Sequence, residues 1–154
     1  MHTAIKIYKG LIDYCCAVWV GLTQQLSEKL QKLQNRTIRV ITKSSYDKSS
    51  RFLLNSLGWD NLSVRRAKQK VNLMYKCINN LAPAYLCNLF APRTPNYYFR
   101  NANEKLMLPK PRTDLKRSFN YSGALLWNNL PEEIRASNSL GFFKRSSHRW
   151  FSDQ

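Results

Sequence analysis

Between Leu62 and about Asn80 the apolar side chains recur at the spacing of an α-helix, and this pattern constrains the chain most. At ~100° per residue, Val64, Ala67, Val71, Met74, Tyr75 and Ile78 share one face, and Arg65, Arg66, Lys68, Lys70 and Lys76 fall around the remaining arc. A segment patterned this way is stable only when its apolar stripe packs against other elements. The same period predicts a helix over residues 4–20, on Ala4, Tyr8, Leu11, Cys15 and Val18, with Gly21 ending it. Thr23 offers an N-cap for a second helix carrying Leu26, Leu30, Leu33, Ile38 and Ile41, with Lys29, Lys32, Arg36 and Arg39 mostly on its polar side. Residues 43–50 are rich in Ser and Lys without periodicity and read as a loop. A short helix over 50–56 leads into Leu57-Gly58-Trp59, and Pro83 suits the first turn of another over 83–90.

The character changes after Ala91. Pro92, Pro95, Pro109 and Pro111 punctuate a stretch whose runs Tyr97-Tyr98-Phe99 and Leu106-Met107-Leu108 read as brief strands or extended segments. A short helix over 121–129 stops at Pro131, and Ser139 can cap a last helix with Leu140, Phe143, Ser147 and Trp150 on one side. The expected fold is mainly α. A small helical bundle, residues 1–91, precedes an irregular arm, residues 92–154, that contains aromatics, prolines and short helices.

Twenty-five Lys and Arg against 9 acids give a formal charge of +16 and a pI near 10.1. Such self-repulsion gains nothing for folding, so it points to a polyanionic partner; a basic surface kept for solubility is the plainer account. Cys15, Cys16, Cys77 and Cys87 contain no Cys-x-x-Cys pair, and His2 and His148 lie far from them in sequence. A zinc site needs closely spaced soft ligands, so buried free thiols in a reducing compartment are expected, with no metal and no cofactor. The longest apolar run, Leu11 to Leu22, is about half a membrane span and is broken by Asp13. An intracellular protein, nuclear or cytoplasmic, without a membrane partner or a small-molecule substrate is expected.

Catalytic constellations are hard to assemble from these residues. Two-metal phosphoryl chemistry needs clustered carboxylates to hold ions ~3.5–4 Å apart, yet the acids are scattered and Glu132-Glu133 is the only adjacent pair. Directly after Pro131, that pair suits the first turn of a helix. Neither a Gly-x-Ser-x-Gly nor a glycine-rich phosphate loop occurs. The expectation is therefore a binding protein and no enzyme.

Several signatures follow one another in order: Asp13-Tyr14-Cys15-Cys16-Ala17-Val18-Trp19, Leu30-Gln31-Lys32-Leu33-Gln34-Asn35-Arg36 and Trp127-Asn128-Asn129-Leu130-Pro131. Between them lie Leu57-Gly58-Trp59, Arg65-Arg66, Met74-Tyr75-Lys76 and Leu81-Ala82-Pro83-Ala84-Tyr85-Leu86, and Phe143-Lys144-Arg145 follows. In order and spacing, from about residue 5 to about residue 151, they resemble the segment behind the polymerase core in reverse transcriptases of non-LTR (LINE-type, jockey-like) retrotransposons. The resemblance implies a post-thumb segment that helps hold template RNA or target DNA near an upstream polymerase. The Tyr/Phe-x-Asp-Asp element of such polymerases is absent, as are the zinc-knuckle cysteines of some related elements.

Two basic patches are the candidate nucleic-acid contacts. From Asn61 to Asn103 there is no acid, while Arg65, Arg66, Lys68, Lys70, Lys76 and Arg100 all fall there. The second patch comprises Lys105, Lys110, Arg112, Lys116 and Arg117, with Tyr97, Tyr98, Phe99, Phe119 and Tyr121 nearby for stacking or for packing. Trp19, Trp59, Trp127 and Trp150 read as core anchors. The competing readings are a helical protein–protein module, such as one that contacts an intact reverse transcriptase in trans, and an open reading frame without selected function.

Overall fold

Three helix ends in the computed structural model share one hydrogen-bond pattern, which sets much of the path of the chain. The structure describes residues 10, 21–93, 105–110 and 118–153. Among these the helices are α1 (Gln24–Thr42), α2 (Ser50–Ser56), α3 (Leu62–Ile78), α4 (Ala84–Cys87), α5 (Phe119–Asn128), α6 (Glu132–Arg135) and α7 (Leu140–Ser152). The protein is mainly α. After α1, α2 and α3 the chain passes through a left-handed residue, namely Lys43 (φ 50°), Gly58 (φ 61°) and Asn80 (φ 55°). Each time the next N–H reaches back across the last turn: Ser44 to Arg39 O (3.0 Å), Trp59 to Leu54 O (2.9 Å) and Leu81 to Lys76 O (2.7 Å). These are Schellman closures, which satisfy carbonyls that a helix end leaves orphaned. Leu57-Gly58-Trp59 is one of them, and its glycine carries the positive φ without Cβ strain.

The chain divides into two compact units, Met1–Arg66 and Ala67–Gln154, and the division falls within α3. It differs from the expected bundle of 1–91 and arm of 92–154, and the second core gives the reason. Val71, Met74 and Tyr75 of α3 pack with Leu106, Ala124, Trp127, Leu130, Ile134 and Phe143. The expected arm thus supplies most of the core around the C-terminal part of α3.

In the first unit Ile38, Leu53, Leu54 and Trp59 form the core, with Ile41 and Leu57 against it. Thr23 caps α1 as expected, its Oγ1 accepting from the Leu26 N–H at 3.4 Å. The expected apolar stripe is only partly buried, because Leu26 (46% exposed) and Leu33 (54%) face outward. Gln34 is fully buried in their place. Its Oε1 accepts from Gln31 Nε2 (2.8 Å), and its own Nε2 donates to Asp60 O (3.2 Å). Gln31 Oε1 accepts the Leu62 N–H at the start of α3 (2.9 Å). Polar groups tolerate burial when they are paired in this way, and here they satisfy a helix N-terminus that lacks intrahelical partners.

In the second unit Phe143 is fully buried between Tyr75 (ring centroids 4.5 Å apart) and Trp127 (5.7 Å). The Tyr75 hydroxyl donates to Ser137 O at 2.8 Å. Ser139 caps α7, and Phe143 and Ser147 are its fully buried positions, as the expected stripe requires. Glu132 and Glu133 occupy the first turn of α6 behind Pro131. Trp127-Asn128-Asn129-Leu130-Pro131 is a pinning device. Trp127 and Leu130 are buried, and the Asn128 amide both accepts from Leu106 N (2.8 Å) and donates to Leu106 O (2.9 Å). Leu106, in the run expected as a brief strand or extended segment, also forms an isolated antiparallel bridge with Pro92. The expected helix over 4–20, Tyr97-Tyr98-Phe99, Trp19, Cys15 and Cys16 lie outside the described residues.

Candidate nucleic-acid interface

The cations of α3 are less open than an acid-free helix suggests. In the first unit Arg65 is half-buried, and Arg66 donates to Leu62 O (3.1 Å) and to Ser27 Oγ (2.8 Å). In the second unit Lys68 is only 8% exposed and its ammonium donates to Ser152 Oγ at 3.3 Å, a correction to its expected place on an open basic face. Lys70 is half-buried and donates to Ser122 Oγ (3.2 Å). The apolar stripe of α3 is wider than its apolar residues imply, because α5 and α7 bring serines that receive these two ammonium groups. Lys76 is half-buried in the last turn of α3, where a cation complements the helix dipole. Lys110 is exposed. Arg100, Arg112, Lys116 and Arg117 lie outside the described residues.

A basic surface that the candidate patches omitted lies on α1. Lys29, Lys32, Leu33, Arg36, Arg39 and Tyr46 line a hollow of about 530 Å³. At ~100° per residue, positions 29, 32, 33, 36 and 39 occupy about a third of the helix circumference, opposite Gln34, Ile38 and Ile41. The same residues that bury one side of α1 therefore fix the cations on the other. From Lys29 to Arg39 the row extends about 15 Å at the 1.5 Å rise of a helix. Among the described residues, no carboxylate lines the hollow. The neighbouring acids have other contacts, Glu28 Oε1 with Gln24 Nε2 (3.0 Å) and Asp47 Oδ2 with Ser45 Oγ (3.0 Å).

The two ends of the hollow differ in how their charge is held. Lys29, Lys32 and Arg36 are exposed. Arg39 is half-buried, with Nη1 donating to Asn35 O (3.3 Å) and Nη2 to Lys48 O (3.4 Å). Its guanidinium carbon stands 5.4 Å from the centroid of the Tyr46 ring, within cation–π range. The signal in the sequence was the spacing Lys29, Lys32, Arg36, Arg39, which repeats every three or four residues as an apolar stripe does.

Other chemistries find little to work with among the described residues. No group of three or more His, Cys, Asp or Glu is placed to hold a metal ion. Cys77 is buried and Cys87 half-buried, and both are free thiols. His148 Nε2 lies 3.4 Å from Asn72 Nδ2 on the half-buried side of α7. No described helix is long and apolar enough to cross a membrane. No protein-family model matches the chain, and neither a curated protein nor a solved structure does.

Proposed function

We propose that this chain is a non-catalytic nucleic-acid-binding segment, of the kind that follows the polymerase core in non-LTR retrotransposon reverse transcriptases. It holds RNA or DNA by the phosphate backbone, without reading sequence. The order of the motifs supports the lineage. The observation that supports binding is the row Lys29, Lys32, Arg36 and Arg39 facing one hollow that no carboxylate lines among the described residues. Cations fixed on one helix face and left unneutralised by acids release counterions from a polyanion when it docks. Lys76 and Lys110 supply further positive charge, and the proposal extends to Arg100, Arg112, Lys116 and Arg117.

The test is equilibrium binding of labelled RNA and DNA at increasing salt. Four phosphate contacts give a slope of about −3.6 in log affinity against log salt on duplex DNA. The triple variant Lys29→Glu, Lys32→Glu, Arg36→Glu is expected to remove most of that slope. Affinity that stays constant between about 50 and 200 mM salt would contradict the proposal.

A second reading, a helical module that binds another protein such as an intact polymerase in trans, is favoured by a different surface. Phe142 is 51% exposed and lines a hollow of about 420 Å³ with Ile134, Arg145, Arg149 and Trp150. Partner capture that survives high salt and nuclease treatment distinguishes this reading from the first.

A further inference from the structure

We infer that the α1 hollow is a site for single-stranded nucleic acid, with Tyr46 as the platform on which one unpaired base stacks. The inference rests on the backbone-binding role proposed above and adds the class of strand that the site selects.

The geometry around Tyr46 carries it. The chain leaves α1 through left-handed Lys43, and a turn closed by Lys48 N–H to Ser45 O (3.4 Å) then presents Tyr46 at its tip. An aromatic ring at such a tip normally folds onto the nearest apolar surface. Tyr46 instead remains 75% exposed. What holds it is Arg39, whose guanidinium lies over the ring. That guanidinium is itself fixed by the Asn35 and Lys48 carbonyls. Its Nε is buried and has no hydrogen-bond partner. One ring face is thus backed by a fixed cation, and the exposure of the residue leaves the other to solvent.

A flat ring with one free face, beside a row of phosphate-binding cations, pairs stacking with backbone contacts, the two elements of sequence-tolerant single-strand binding. Exposed Leu33 adds an apolar side chain to the lining of the hollow, at one edge of the cationic row. A duplex can satisfy the cations but keeps its bases stacked on one another, so it offers Tyr46 nothing. The hollow therefore distinguishes the two forms by the ring and binds both by charge. RNA and DNA share this chemistry, and separate arms with each show which is taken.

The test measures anisotropy of labelled single strands and of blunt duplexes of equal length, both RNA and DNA, with the full chain. Tyr46→Ala is expected to weaken single-strand binding about tenfold, the loss of one stacked base, and to leave duplex binding unchanged. Tyr46→Phe, which keeps the ring, is expected to restore it. Because Tyr46 is exposed, both variants should retain the wild-type circular dichroism. Single-strand affinity unaffected by Tyr46→Ala, or single-strand and duplex affinity falling together, would overturn the inference while leaving the backbone role intact. If Lys32→Glu with Arg36→Glu changes neither form of binding, the backbone role fails, and the inference with it.

Discussion

Burial pushes the Cys77 thiol up from an ordinary 9.0 to about 11, and the neighbouring Cys87 adds to the shift. The thiol therefore stays protonated throughout the neutral range. Because the folded value is the higher one, the folded state holds this proton more tightly than the unfolded chain does. The resulting stability is fully present below pH 9.0 and is lost as pH rises toward about 11. Lysines and tyrosines also titrate in that window, so the readout is a difference between proteins. Melting curves of wild type and Cys77→Ala should run parallel below pH 9 and converge above it. Curves that stay parallel to pH 11 would show that the thiol is not held protonated by the fold. Single residues also mark where a sequence is hard to read. The capping roles of Thr23 and Ser139 follow from local chemistry, since each hydroxyl accepts an N–H three residues on. Gln34 does not follow, because its burial depends on Asp60 and on Gln31, whose own acceptor serves Leu62.

At the scale of elements, the amphipathic pattern locates helices better than it assigns their faces. The period from Val64 to Ile78 gives α3 and its buried positions Val71, Met74 and Tyr75. It does not show that serines of α5 and α7 receive Lys70 and Lys68, since those contacts lie 52 and 84 residues away in sequence. On α1 the apolar residues suggested a stripe that includes Leu26 and Leu33, and buried Gln34 shifts the core-facing side away from both. The candidate site suffered the same way: cations were sought where acids are missing from the sequence, and the α1 row has Glu28 beside it. Asn128 joins two elements through both hydrogen bonds to Leu106. Asn128→Ala leaves the buried Leu106 backbone without those partners and is expected to destabilise the second unit by about 2 kcal/mol. Chemical denaturation followed by tryptophan fluorescence checks it, and a change below about 0.5 kcal/mol would mean that water replaces the amide.

For the whole molecule, the +16 charge acts on stability and on binding with opposite signs. Screening shortens the reach of like-charge repulsion from about 30 Å at 0.01 M salt to about 10 Å at 0.1 M. Melting temperature is therefore expected to rise over that range in protein freed of nucleic acid, while affinity for a polyanion falls. Scanning calorimetry at the two salt concentrations measures the first effect, and an unchanged midpoint would show that self-repulsion costs the fold little. Total charge is legible in any sequence. Its distribution is not, because each helix face is decided by what lies against the opposite side.

The left-handed turn at Lys43 ties the path of the backbone to the placement of Tyr46. Lys43 makes no ring contact and does not line the hollow, yet the reversal it begins brings Tyr46 alongside Arg39. Charge scanning at this position would register two losses as one, a cation and a bend. Glycine separates them, because it discards the ammonium and keeps the positive φ. A β-branched residue resists that φ and swings the ring out of register with the cations. If Tyr46 is the stacking platform proposed above, strand preference depends in part on a residue that does not line the hollow.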